Sequence, residues 1–156
     1  MKKILYILSA AICLLTSCEK EKSLADKLVG DWHCSATSTD AEIYATFTAE
    51  KTFVLYQQVG EGAFRVYNGT YEFTAQSEGE VQATLTGTYN DGKAWGAVYQ
   101  VSGMSDNAMT LTAEGISETY EKITGGIPED VLKSAVTVVK SEGVDEPASK
   151  VMEWRR

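Results

Sequence analysis

The chain has 156 residues, 44% hydrophobic and 10% aromatic, which is enough to bury one core, and its thirteen glycines against two prolines suit a turn-rich all-β domain. A net charge of −8 repels phosphate backbones, so no nucleic-acid partner is expected. Two of the three cysteines, Cys13 and Cys18, belong to the N-terminal apolar region, and Cys34 is left alone in the body, which excludes a disulfide framework and a cysteine-pair metal site.

Lys2 and Lys3 followed by an apolar run over residues 4–15 have the form of a secretory signal over 1–17, with a core too short to cross a bilayer. The run ends in Leu15-Thr16-Ser17-Cys18, which resembles the lipobox of bacterial lipoproteins. That resemblance implies cleavage before Cys18, a diacylglycerol on its sulfur and a fatty acyl chain such as palmitate on its new amino group. Two or more chains anchor stably, since each buried methylene contributes about 0.8 kcal/mol. The implied partner is therefore a membrane, held through acyl chains on Cys18, and the implied address is the cell envelope at the outer membrane, with the face left open. Residues 18–23 then alternate charges at Glu19-Lys20-Glu21-Lys22 and read as a solvated tether.

The domain proper is expected over 24–124. Leu24 and Leu28, four apart, suit one helical turn across the base of the strands that come after it. Trp32 and Cys34 share one face of a first strand, with His33 and Ser35 on the other, so Cys34 reads as a small buried hydrophobe. Ile43, Ala45 and Phe47 alternate inward before a tight turn at Glu50-Lys51, and Phe53 and Leu55 continue inward after it, which makes a hairpin. Phe64 to Tyr67 and Thr70 to Phe73 flank Asn68-Gly69, where a bulge or kink fits better than a hairpin because the flanking runs are short. Val81, Ala83, Leu85 and Gly87 alternate in the next strand. Asn90-Asp91-Gly92-Lys93 turns the chain into a return strand over 94–101, with Trp95, Ala97, Tyr99 and Val101 on one face. Met109, Leu111 and Ala113 follow, and the closing strand covers 117–123.

About eight short strands, each with one apolar face and joined by hairpin-length turns, predict an all-β fold, an antiparallel up-and-down barrel whose closure removes exposed edges. Within this pattern Leu28-Val29-Gly30-Asp31-Trp32 resembles the glycine-x-tryptophan opening of lipocalins. Asn68-Gly69-Thr70-Tyr71 and Thr119-Tyr120-Glu121-Lys122 are similar to internal and closing strands of the lipocalin-like domains in small Gram-negative lipoproteins. The resemblance implies that Lys122 covers Trp32 where the barrel closes, with Gly30 at the same end.

Residues 125–156 form a C-terminal extension. Pro128-Glu129-Asp130 resembles a helix start, and Val131, Leu132, Ala135, Val136 and Val139 fall on one side, so a helix over about 128–139 is expected, with an extended 135–139 as the alternative.

Nothing in the chain calls for catalysis. One histidine excludes a two-histidine metal site, no Gly-x-Ser-x-Gly elbow or phosphate loop is present, and neither an enzyme nor a cofactor is expected. Strand parity instead sends Phe47, Phe53 and Leu55, then Phe64, Tyr71 and Phe73, then Leu85, Trp95 and Tyr99, and lastly Met109 and Tyr120 inward as candidate ligand-lining residues. Small inward residues at Ala45, Ala83, Gly87, Ala97 and Ala113 leave volume among them. An eight-stranded barrel is either just filled by its side chains or keeps room for one small ligand. The expected function is thus a lipid-anchored barrel binding a small, largely apolar ligand; the alternative is a filled barrel acting through its outer surface as an envelope interaction or structural module, with its protein partner unknown.

Overall fold

A computed structural model describes residues 22–36, 40–75 and 82–137. In chain order these form α1 (Leu24–Leu28), β1 (Gly30–Ala36), β2 (Ala41–Phe47), β3 (Thr52–Val59), β4 (Arg65–Ala75), β5 (Ala83–Tyr89), β6 (Tyr99–Ser102), β7 (Ala108–Ala113), β8 (Ile116–Ile123), α2 (Glu129–Ser134) and β9 (Val136–Thr137). The signal segment, Cys18 and Val81 lie outside the described residues.

Each of β1 to β8 pairs antiparallel with the next, and β8 returns to pair with β1, so the strands close an up-and-down barrel. The cause is the period-two pattern: along β2, for example, Ala41, Ile43, Ala45 and Phe47 are buried while the residues between them are partly exposed. Closure gives all eight inner faces one shared core.

The strands are staggered, as barrel closure requires. Residues 65–70 of β4 pair with β3, whereas residues 69–75 pair with β5. This stagger would leave the start of β4 with a free edge on the β5 side. There β9 adds in parallel, Val136 opposite Arg65 and Thr137 opposite Val66, with the Val136 N–H donating to Phe64 O at 2.7 Å. The Asn90 N–H covers the next free carbonyl, Asn68 O, at 3.0 Å.

Several elements depart from the sequence expectation. Asn68-Gly69 lies inside one continuous β4, in register on both sides, with no bulge. Glycine is required there by crowding: a Cβ on Gly69 would sit 2.0 Å from Thr88 O and 2.9 Å from the Phe53 ring. The strand expected from residue 94 begins only at Tyr99, because Ala94 makes a single bridge to Thr88 and residues 95–98 swing Trp95 across Gly87. The Asn90-Asp91-Gly92-Lys93 turn forms as read, with the Gly92 N–H donating to Tyr89 O and the Tyr89 N–H to Lys93 O, both at 2.8 Å.

The expected helix over 128–139 is cut to Glu129–Ser134, and the chain is extended over residues 135–137; the rest of the expected span lies outside the described residues. β-branched Val136 gains more from pairing with the free β4 edge than from a further helical turn. The single-sided apolar stripe fails with it: Val131 is buried, but Leu132 and Val136 are about half exposed.

Gly69→Ala is expected to cost about 1–3 kcal/mol, since the added methyl meets a backbone carbonyl that cannot move without breaking the ladder. Gly62→Ala, with open space around it, is expected to be neutral. Urea denaturation midpoints of the two variants check this.

Candidate functional site

One end of the barrel is plugged by α1. Its N-terminus is held by a capping box, the Asp26 N–H donating to Ser23 Oγ at 3.2 Å and the Ser23 N–H to Asp26 Oδ2 at 3.3 Å. Its C-terminal carbonyls have no partner within so short a helix, and the barrel supplies two donors. Trp32 Nε1–H donates to Leu28 O at 2.7 Å, and Lys122 Nζ donates to Lys27 O at 2.7 Å.

Trp32 and Lys122 face each other in register across the β1–β8 seam, and the Lys122 ammonium lies 4.8 Å from the Trp32 ring centroid, within cation–π range. Its stem crosses Gly30, where a Cβ would lie 2.7 Å from Lys122 Cε, and the positive φ of Gly30 is one that side chains resist. Gly30, Trp32 and Lys122 are thus brought together. Burial lowers the Lys122 pKa from its ordinary value, and the nearby Lys22 charge lowers it further.

Above the plug, Phe47 and Tyr71 meet edge-to-face at 5.2 Å. The Tyr71 hydroxyl donates to Thr48 O at 2.7 Å, so it is tied to the turn at the plugged end, and burial raises its pKa. From there a chain of rings runs through the interior: Tyr99 to Trp95 at 5.9 Å, Trp95 to Phe53 at 5.0 Å, Phe53 to Tyr89 at 5.8 Å and Tyr89 to Tyr67 at 6.0 Å. The room that Gly87 was expected to leave is taken by Trp95, whose indole lies 2.2 Å from where a Gly87 Cβ would be.

Of the lining residues read from parity, Phe47, Phe53, Leu55, Leu85, Tyr99, Met109 and Tyr120 are fully buried in the core, Trp95 and Tyr71 nearly so, and Phe73 is half-buried at its edge. Phe64 is a correction. It is buried, yet outside the interior cluster, against the outward-facing Tyr44 at 5.8 Å, because it precedes β4 and sits one position out of phase with inward Tyr67. Tyr67 and Tyr89 are interior rings that the sequence reading passed over.

The reading also missed the interior's polar groups. Gln57, only 2% exposed, points inward from β3 with neither amide atom hydrogen-bonded among the described residues, and Glu118 is buried on β8. Parity carried two residues on from Leu55, or back from Tyr120, finds both. Gln57 is the register partner of Ile43, Ile43 of Cys34, and the Cys34 thiol donates to Glu118 Oε2 at 3.5 Å. Burial, with the Glu118 charge adding to it, pushes the Cys34 thiol up to about 12. It is therefore a buried donor and no nucleophile near neutral pH.

On the outer wall His33 stacks on Tyr44 at 4.6 Å and pairs through Nε2 with Glu42, whose other oxygen accepts from Ser35 at 2.9 Å. Serine and histidine reach one carboxylate from separate oxygens, so the two are joined through Glu42 and not by a direct serine–histidine hydrogen bond. Among the described residues no group of three or more His, Cys, Asp or Glu is placed to hold a metal ion. The family models, the curated proteins and the solved structures that were searched contain no match to this chain.

Lys122→Met is expected to destabilise the barrel by about 1–2 kcal/mol, losing the cation–π contact and the bond to Lys27 O; urea unfolding measures it. In protein beginning at Glu19, where Cys34 is the only thiol, a thiol reagent at pH 8 should label nothing until denaturant is added. Because the folded thiol titrates above its ordinary 9.0, its contribution to stability is complete below pH 9 and is lost as pH rises toward about 12. Cys34→Ala should flatten that alkaline fall in a pH series of denaturation midpoints.

Proposed function

We propose that this chain is a lipid-anchored, lipocalin-like envelope protein that takes a small, largely apolar ligand into its barrel. The observation that carries the reading is a barrel plugged at one end by α1, Trp32 and Lys122, whose interior buries the side-chain amide of Gln57 with no hydrogen-bond partner among the described residues. Buried polar groups are matched as a rule, and an unmatched one costs about 1–3 kcal/mol, so a stable protein keeps such a group where something else completes it. The lipobox at residues 15–18 supports the anchor, with acyl chains on Cys18 as the membrane contact and the outer membrane as the address. The apolar rings around Phe53 and Trp95 supply the wall, and tyrosine hydroxyls supply orientation.

A second reading has its own support. Trp95 lies in the space over Gly87, and the ring contacts from Tyr99 to Tyr67 are continuous, as in a barrel filled by its own side chains. Such a protein acts through its outer surface as an envelope interaction or structural module.

Native mass spectrometry of Cys18→Ala protein purified from its host separates the two: a bound small molecule is expected, and a clean apo mass with no thermal shift across a library of small apolar compounds favours the filled barrel. In the same host, the parent chain is expected in the membrane fraction and Cys18→Ala in the soluble one.

A further inference from the structure

Gly87 holds an inward position on β5, in phase with buried Leu85 and Tyr89, where a side chain of its own would point into the barrel. The ring that covers it comes instead from the chain beyond the turn at 90–93, at the end away from the plug. Along residues 91–98 only Trp95 is buried; Ala97 is half-buried and the others are exposed. A surface segment thus inserts one indole into the interior. It is tied to β5 by the Thr88–Ala94 bridge and by the Trp95 N–H donating to Gly87 O at 2.9 Å, and the β6 ladder begins only at Tyr99.

Trp32 is held differently. It lies within β1, paired with a strand on each side, and its Nε1–H donates to Leu28 O. Trp95 can leave by rearrangement of residues 94–98 with the pairing of β5 to β4 and β6 intact. A ring meant to stay is most simply supplied by residue 87 itself. A glycine there, with the indole delivered from a loop, makes a place that can be emptied, and local openings of this kind draw on the least strongly bonded parts of a fold. Phe53 and Tyr99, both fully buried, stand edge-to-face to the indole, at 5.0 Å and 75° and at 5.9 Å and 73°. These two rings remain when the indole leaves. Their geometry suits another planar aromatic body, whose faces and edges attract theirs, better than a flexible chain.

We propose, resting on the ligand-binding reading above, that the bed over Gly87 is the ligand site, that Trp95 occupies it until a ligand displaces it, and that this ligand is a planar aromatic compound close to indole in size. A barrel filled by its own rings and a barrel that binds a small molecule are then two states of one protein.

Indole and 1-octanol, a planar ring and a flexible chain, test this on protein beginning at Glu19 labelled with 5-fluorotryptophan, the Trp95 fluorine resonance being assigned with Trp95→Phe. Saturating indole is expected to move that resonance to its position in urea-unfolded protein, and 1-octanol to leave it in place. With the open form at about a tenth of the population or less, removing the internal competitor in Trp95→Ala tightens indole binding about tenfold or more, read by amide chemical-shift titration. Should Trp95→Ala fail to fold, the fluorine titration of the parent chain decides alone. Indole bound with the Trp95 resonance unmoved, equal displacement by 1-octanol, binding of 1-octanol alone, indole binding in Trp95→Ala alone, or an affinity unchanged in that variant each overturn the inference and leave the ligand-binding reading in place. No shift from either probe, in parent or variant, overturns the inference together with the reading beneath it.

Discussion

The last carbonyls of a five-residue helix organise this molecule. α1 is too short to be stable alone, and its C-terminal oxygens need donors from elsewhere. Trp32 and Lys122 supply them from the first and last strands of the barrel. The same two side chains stack on each other and lie in register, so one contact caps the helix, plugs the end and joins the strands that close the ring. That junction needs the help, because β1 and β8 pair over only three residues while β1 and β2 pair over seven.

The architecture was legible because the alternation of apolar residues seldom breaks within a strand. Trp32 and Cys34, the run from Ile43 to Leu55, and Met109 with Leu111 keep phase, and parity alone assigns their faces. Phase was lost where the chain leaves regular structure. Phe64 follows the irregular residues 60–63, so parity did not carry across, and the residue landed on the outer wall beside Tyr44. Trp95 does face inward, but from an irregular segment and not from a strand.

Two further features depend on three-dimensional facts that local sequence does not hold. The free edge of β4 exists only because the barrel is staggered, and that edge is what turns Val136 and Thr137 from helix to strand. Gly69 resembles turn chemistry beside an asparagine, yet its role is to let Thr88 O approach. Gln57 and Glu118 escaped notice for the opposite reason: parity places them inside, but polarity argues for outside, and composition-led reading followed polarity. A conflict of that kind between period and polarity is where a site is to be sought.

The plug also sets which end of the barrel lies nearest the N-terminal segment. Ser23 caps α1 at the plugged end and lies five positions after Cys18, a reach of at most about 18 Å for a fully extended chain. If Cys18 carries the proposed acyl chains, they would hold the barrel from its plugged end, with the Gln57 end the farther from the anchor. On the proposed reading, a ligand would then enter from the side away from the anchor.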